Sequence, residues 1–430
     1  MNIIKLIKFS FKIKIFVINI LLILIWLYYF FYFKKINLAV YYFSIKNGGA
    51  QRLTALLINN LSKVDLFKIY LFVNRNENDE YEINNDIKRI LINGTTQHLI
   101  NEIKLNNINI IIYQFYNPFE INELNKLHNV KTIVYIHSCF LTWIYFHNYN
   151  FIRTLYSSFK YSKYILSLIP FENDYLFPLW GIHSILINNY ITYEYDEIVP
   201  SDLSSKTILM LGRGDDIRKR FYLGINTMKY IVQKIPDAEM IIISNKNDYL
   251  IKLVKELNLE NNIKFVGYNK KPELYFKNAS LHILPSSTEA FPLALCETKI
   301  YGIPNIITGL DYVSPAKGGV INIDNDNPRN IAKEAIKILQ NETYRKKLGK
   351  EARKSMKRFK NKYTTKNWVK IILAIYKGKN HYDILRKKRK KISEKEALIT
   401  INKQIILLKK REPTFKYINL KNITNLMKNI

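Results

Sequence analysis

The sequence predicts two successive open α/β sheets that face one another across a cleft. Short apolar, β-rich runs alternate with helix-compatible polar stretches, as they do in parallel sheets buried on both faces. The alternation stops once, around "YITYEYDEIVPSDLSS" (Tyr190 to Ser205), where acidic, Pro and Ser residues collect, and then restarts. A chain of 430 residues is long enough for two domains of ordinary size, each with its own core.

The first unit opens on "INLAVYYFSI" (Ile36 to Ile45), a continuous strand-like run. "KNGGAQRLTALLINNLSK" follows, with Leu53, Leu57 and Leu61 at helical spacing, so strand, glycine turn and helix begin a parallel unit. "KIYLFVN", "NINIIIYQF", "KTIVYIHS", "YILSLI" and "SILINN" supply further strands up to the interdomain linker. The second unit restarts at "KTILMLGRG" and adds "EMIIIS", "IKFVGY", "LHILPS", "PNIIT" and "GGVINI", closed by the helices through "NPRNIAKEAIKILQNETYRKKLGKEARKSMKRF" and "NKYTTKNWVKIILAIYKG". The expected division is an amino-terminal segment 1–35, a first domain 36–195, a second domain 205–378 and a basic tail 379–430. Ligands of such sheets bind beyond the carboxyl ends of the strands, so the loops there are where function is sought.

Ile15 to Phe33, "IFVINILLILIWLYYFFYF", is uncharged and flanked by lysines. It has the length of a helix crossing about 30 Å of hydrocarbon, with aromatics gathered at one end. Its bulky end offers no small-residue cleavage site, so an uncleaved single-pass anchor is expected rather than a signal peptide. Lysines on both sides leave its orientation undetermined, and the sequon at Asn278, beside the strand "LHILPS", leans toward a cytosolic catalytic part. Within the tail, "RKKRKK" (Arg386 to Lys391), a basic run expected to lie on anionic lipid, precedes a short amphipathic helix with Ser393 and Glu396 as a capping box.

The formal charge of +31 favours a negative partner: nucleic acid, an anionic membrane surface or a phosphorylated substrate. Ile, Asn and Lys are inflated together, as A/T-rich coding sequence produces, so charge alone identifies no ligand. Cys139 and Cys296 both lie in apolar stretches and no zinc-type spacing occurs, which supports neither a disulfide framework nor a structural metal. "DND" at Asp324 to Asp326 precedes a helix beginning near Pro328 and reads as turn and cap chemistry rather than a metal site. No G-x-G-x-x-G follows the first strand, which argues against a dinucleotide oxidoreductase.

Three loops carry candidate chemistry. Gly48 and Gly49 follow the first strand and let backbone N–H groups and a helix start approach an anion. "LGRGDDIRKRF" brings Arg213, Arg218, Lys219 and Arg220 to the carboxyl end of the next domain's first strand, where fixed cations suit a diphosphate. In "SSTEAFPLALCETKIYG" a helix starts near Pro292, so Glu289 stands in the loop and Glu297 in the helix body. One carboxylate for sugar hydroxyls, another for ribose hydroxyls, and amides near Ala290, Phe291 and Leu293 for phosphate make a nucleotide-sugar site.

In their order, "KNGGAQR", "YIHSCF", "LGRGDDIRKRF", "FVGY" and "PSSTEAFPLALCETKIYGIP" resemble the retaining glycosyltransferases of family 4, over about Ile36 to Gly378. The resemblance implies the GT-B fold, two Rossmann-like domains across a cleft, and transfer from a nucleotide-diphosphate sugar to a glycan or lipid-linked acceptor without a metal or other cofactor. It implies that Gly48 and Gly49 approach the donor diphosphate and that His137 sits near the transferred sugar. Arg213 and Lys219 would hold the diphosphate, although the loop between them looks one residue longer than usual, so Arg218 is an alternative to Lys219. Glu289 would contact the sugar, Glu297 the ribose, and Phe291, Pro292 and Leu293 would line the donor site. No specific nucleic acid is expected. The competing reading is a catalytically inactive, basic protein of the same fold that binds glycan, anionic lipid or nucleic acid.

Overall fold

The computed structural model describes residues 35–46, 48–75, 81–146, 149–269, 271–324, 326–380, 384 and 392–411. Among them no helix is long and apolar enough to cross a membrane. On that finding the expected single-pass membrane location is corrected; the segment that prompted it, Ile15 to Phe33, lies outside the described residues.

The first sheet comprises β1 (Ile36–Tyr42), β2 (Phe67–Val73), β3 (Lys88–Leu91), β4 (Ile110–Tyr113), β5 (Lys131–Tyr135), β6 (Tyr164–Ser167) and β7 (Ile185–Leu186). All pairs are parallel in the order β3-β2-β1-β4-β5-β6-β7. Every residue of β4, "IIIY", is buried, as a strand covered on both faces requires. The second sheet, β8 (Thr207–Leu211), β9 (Glu239–Ile243), β10 (Ile263–Phe265), β11 (Leu281–Leu284), β12 (Asn305–Ile307) and β13 (Val320–Asn322), runs parallel in the order β10-β9-β8-β11-β12-β13. In both sheets the chain reverses its direction of travel beside the first strand. The crevices this opens, next to β1 and β8, are where doubly wound sheets bind ligands.

Helices fill the crossovers: α1 (Gly49–Ser62), α2 (Thr96–Leu105), α3 (Pro118–Asn125), α4 (Phe140–Phe146), α5 (Tyr149–Tyr161), α6 (Phe221–Val232), α7 (Asp248–Glu256), α8 (Glu273–Phe276), α9 (Leu293–Ile300), α10 (Pro328–Gln340) and α11 (Glu342–Met356). The asparagine-rich composition is put to structural use here. Asn117, Asn247, Asn327 and Asn341 each accept a backbone N–H at the start of α3, α7, α10 and α11.

Two last helices tie the halves together. At the start of α12 (Asn361–Tyr376), Asn361 exchanges hydrogen bonds with the backbone N–H and C=O of Ile191. Further along it, fully buried Trp368 meets Tyr135 of β5 edge-on at 5.1 Å. Helix α13 (Glu394–Arg411) starts as its sequence suggests, the Glu396 amide donating 3.2 Å to Ser393 Oγ. Its apolar face is covered by protein. Ala397, Ile401, Ile405 and Leu408 are buried against α4 and the helical turns Glu172–Leu179 of the first domain. An amphipathic pattern specifies an apolar partner without saying which one. The basic run Arg386 to Lys391 lies outside the described residues.

Candidate active site

Helix α9 begins at Leu293, directly after Pro292, so Glu289 stands in the loop behind β11 and Glu297 in the body of the helix. The structure gives the two carboxylates different partners. Glu289 Oε1 accepts from Lys219 Nζ at 2.5 Å, and its own amide donates to the Tyr312 hydroxyl at 3.0 Å. Glu297, 4% exposed, accepts on Oε1 from Arg52 Nη1 of α1 at 3.0 Å and from Thr192 Oγ1 at 2.8 Å. One is therefore held within the second domain and the other across the cleft. Phe291 is buried edge-on to Phe359 at 5.7 Å, which commits its side chain to packing and anchors the loop.

The basic loop after β8 separates its four cations. Arg218 places Nε and Nη2 on Asp216 at 2.9 and 2.7 Å, while Arg213, its side chain 59% exposed, reaches the same carboxylate at 3.0 Å. Burial disfavours the charge on Asp216. The Arg218 fork and the nearby Lys219 and Arg213 overcome it and hold the carboxyl at about 2. Arg220 is a structural cation. Only 2% exposed, it adopts the left-handed conformation (φ 47°) and bonds the Pro285 carbonyl, Asp326 and Thr308 Oγ1 at 2.7, 2.5 and 2.8 Å. Asp326 is thereby an ion-pair partner, and Asp324 accepts from Asn322 at 3.0 Å. Among the described residues, no three His, Cys, Asp or Glu side chains are grouped to hold a metal ion.

On the first-domain side, His137 follows β5 and its Nε2 meets Gln114 Oε1, which also accepts from Thr54 Oγ1 at 3.0 Å. Burial holds the imidazole at about 3, so the ring is neutral near pH 7. Gly48 has φ 131° and donates its N–H to the Tyr81 hydroxyl at 3.4 Å; Gly49 is the first residue of α1. A Thr142–Thr288 hydroxyl contact of 2.9 Å joins α4 to the Glu289 loop across the cleft.

Just behind this side lies a carboxyl that sequence reading passes over. Glu172 is 1% exposed; one oxygen accepts the Phe140 N–H at the start of α4, and the other has no hydrogen-bond partner. Burial raises its pKa from 4.5 to about 8. The folded state then keeps a proton that the unfolded state releases above pH 4.5, so this group's contribution to stability falls as pH rises from 4.5 to 8. Glu172→Gln, which mimics the protonated form, is expected to be more stable than the parent at pH 8, with the gain vanishing toward pH 4.5. Denaturant unfolding at several pH values checks this.

Arg52, Thr192, Asp216, Tyr312, Gln114 and Glu172 are functional-site neighbours that the sequence reading did not assign. Arg52 left a signal: a cation in the first turn of a helix opposes the helix dipole, and it needs a partner such as Glu297 to account for it.

Residues 193–355, which include the basic loop, Glu289 and Glu297, match the family described as Glycosyl transferases group 1. The second domain is a glycosyl transferases group 1 domain. A 2-deoxystreptamine N-acetyl-D-glucosaminyltransferase of Niallia circulans is 30% identical to the chain over 149 residues, 33% of this chain and 38% of the relative. The chain spans 23% to 48% of the length of the curated relatives it matches. Beyond the group 1 domain, about four-fifths of the chain has counterparts among solved structures. Sucrose-phosphate synthase from Thermosynechococcus elongatus superimposes with a TM-score of 0.69 at 15% identity, covering 80% of this chain and 100% of that one. An Anabaena protein, HepE, solved with UDP and glucose, superimposes with a TM-score of 0.61 at 12% identity, covering 79% and 100%. Both likenesses are of fold, and the fold is GT-B, with two parallel α/β sheets.

Proposed function

We propose that the protein is a metal-independent, retaining glycosyltransferase that moves a sugar from a nucleotide-diphosphate sugar to a glycan or lipid-linked acceptor. The observation that carries this reading is the Lys219–Glu289 pair at 2.5 Å in the loops after β8 and β11, with Glu297 in the body of the helix α9 that follows. Glu289 contacts the sugar, Glu297 the ribose, and Arg213, Arg218 and Lys219 the diphosphate, with the first turn of α9 behind Phe291, Pro292 and Leu293 facing the phosphates.

In this reading the bond from the anomeric carbon to the diphosphate oxygen breaks and a bond to the acceptor oxygen forms on the same face. The acceptor proton passes to the departing diphosphate, so no separate base is needed. Lys219 meets the charge that develops on the leaving group. His137, neutral because it is buried, serves as a hydrogen-bonding group beside the transferred sugar rather than as a cation. Gly48 and Gly49 let the first domain's backbone approach the donor. The UDP and glucose held by the Anabaena protein of the same fold support a nucleotide sugar as donor.

A screen of nucleotide sugars for donor hydrolysis by the full chain tests the proposal. Hydrolysis of one sugar class, lost in Glu289→Ala, is the expected result. Absence of both hydrolysis and nucleoside-diphosphate binding, together with salt-sensitive binding of nucleic acid, would return the protein to the non-catalytic reading.

A further inference from the structure

Helix α13 does more than cover the first domain. Past Leu408 its last residue, Arg411, leaves that domain and enters the second: Nη1 donates 2.7 Å to the carbonyl of Thr308, directly after β12, and Nε donates 3.0 Å to Leu407. Position 309 must be glycine for this. Gly309 has φ 58°, and a Cβ there would collide with the guanidinium. Arg411 is 5% exposed, yet its Nη2 has no hydrogen-bond partner.

A buried cation with an idle donor is a poor device for stability, because removal from water costs more than two carbonyl bonds return. Burial, the largest influence, pulls the guanidinium's pKa down, and the neighbouring Arg220 adds to that against the opposing pull of Tyr312, Asp326 and Asp324. What the arginine does hold is a loop. Thr308 and Gly309 lead within four residues to Tyr312, and the Tyr312 hydroxyl accepts the amide of Glu289 at 3.0 Å. The loop's other anchors, Arg220 Nη2 on Thr308 Oγ1 at 2.8 Å and the Leu310 N–H on Asn322 Oδ1 at 3.3 Å, leave the Thr308 carbonyl to Arg411.

We propose that Arg411 is a positioning residue for sugar transfer: the tail helix carries it out of the first domain to hold the Thr308–Tyr312 loop, and through Tyr312 the loop that presents Glu289. The inference rests on the reading of Glu289 as the sugar contact. It makes the tail part of the transferase and not an appendage, because the helix that places Arg411 is seated on one domain and its terminal side chain acts in the other.

Arg411→Ala in the full chain is expected to lower kcat by roughly 10-fold to 10²-fold with little change in donor KM, the mark of a misplaced reacting group. Arg411→Lys, which keeps one donor for the Thr308 carbonyl, recovers part of the loss. Gly309→Ala displaces the arginine without removing it and gives at least the same loss, since the left-handed backbone at this position adds strain of its own. Hydrogen exchange at the Glu289 amide, measured without substrate, rises in Arg411→Ala and returns in Arg411→Lys. Should no sugar be transferred by the parent chain, the function proposed above fails while the exchange result still decides this inference. Parent-like exchange at Glu289 in both Arg411→Ala and Gly309→Ala overturns it, as does a kcat loss that only follows a lowered unfolding midpoint.

Discussion

Alanine in place of Lys219 lowers kcat for sugar transfer by about 10²–10³-fold, the range set by loss of one fixed group that meets developing charge. The ammonium lies 2.5 Å from Glu289, and both side chains are mostly enclosed, so water cannot substitute for it well. Lys219→Arg keeps a charge but replaces a compact ammonium with a planar fork, and only part of the activity returns. Arg213→Ala is expected to cost less than Lys219→Ala, because Arg213 is 59% exposed on its side chain and already shares Asp216 with Arg218. Single-turnover rates on the three variants, with thermal unfolding as a control, decide the order. A Lys219→Ala enzyme as fast as the parent would remove the leaving-group role assigned here.

The features legible in the sequence were those with a local pattern. Apolar strand runs separated by polar helices specify two parallel sheets, because burial on both faces leaves a mark on every residue of a strand such as β4. The separation of Glu289 from Glu297 was legible because Pro292 marks the start of a helix from within a dozen residues of both. What stayed hidden were partnerships between distant positions. Arg52 and Glu297 are 245 residues apart, and no spacing rule joins them. Arg220 read like its three neighbouring cations in one loop, yet it is turned into the fold by a left-handed backbone and a buried set of acceptors. The apolar face of α13 has the same periodicity whether lipid or protein covers it, and only tertiary structure distinguishes the two.

The same hidden pairing yields the second large effect, at Glu297. Both of these side-chain hydrogen bonds fall on Oε1, from Arg52 and from Thr192, and the proposed function gives Oε2 the ribose hydroxyl. Charge-assisted hydrogen bonds to ribose hydroxyls are worth roughly 1.5–3 kcal/mol each, so Glu297→Ala should lower kcat/KM by about 10²-fold or more, chiefly through donor KM. Removal of Arg52 alone leaves the carboxylate in place but unbraced, and Arg52→Ala should weaken nucleoside-diphosphate binding by roughly tenfold, the size of one lost orienting bond. If Arg52 acts only through Glu297, the two substitutions do not add: the double variant binds no worse than Glu297→Ala. Titration of the four proteins with a nucleoside diphosphate closes the cycle. Tighter binding in Arg52→Ala would mean that the arginine competes with the ribose for Glu297 instead of presenting it. Because Arg52 belongs to the first domain and Glu297 to the second, presentation also requires the two domains to be together when the donor binds, so the coupling in the cycle measures domain closure along with the contact.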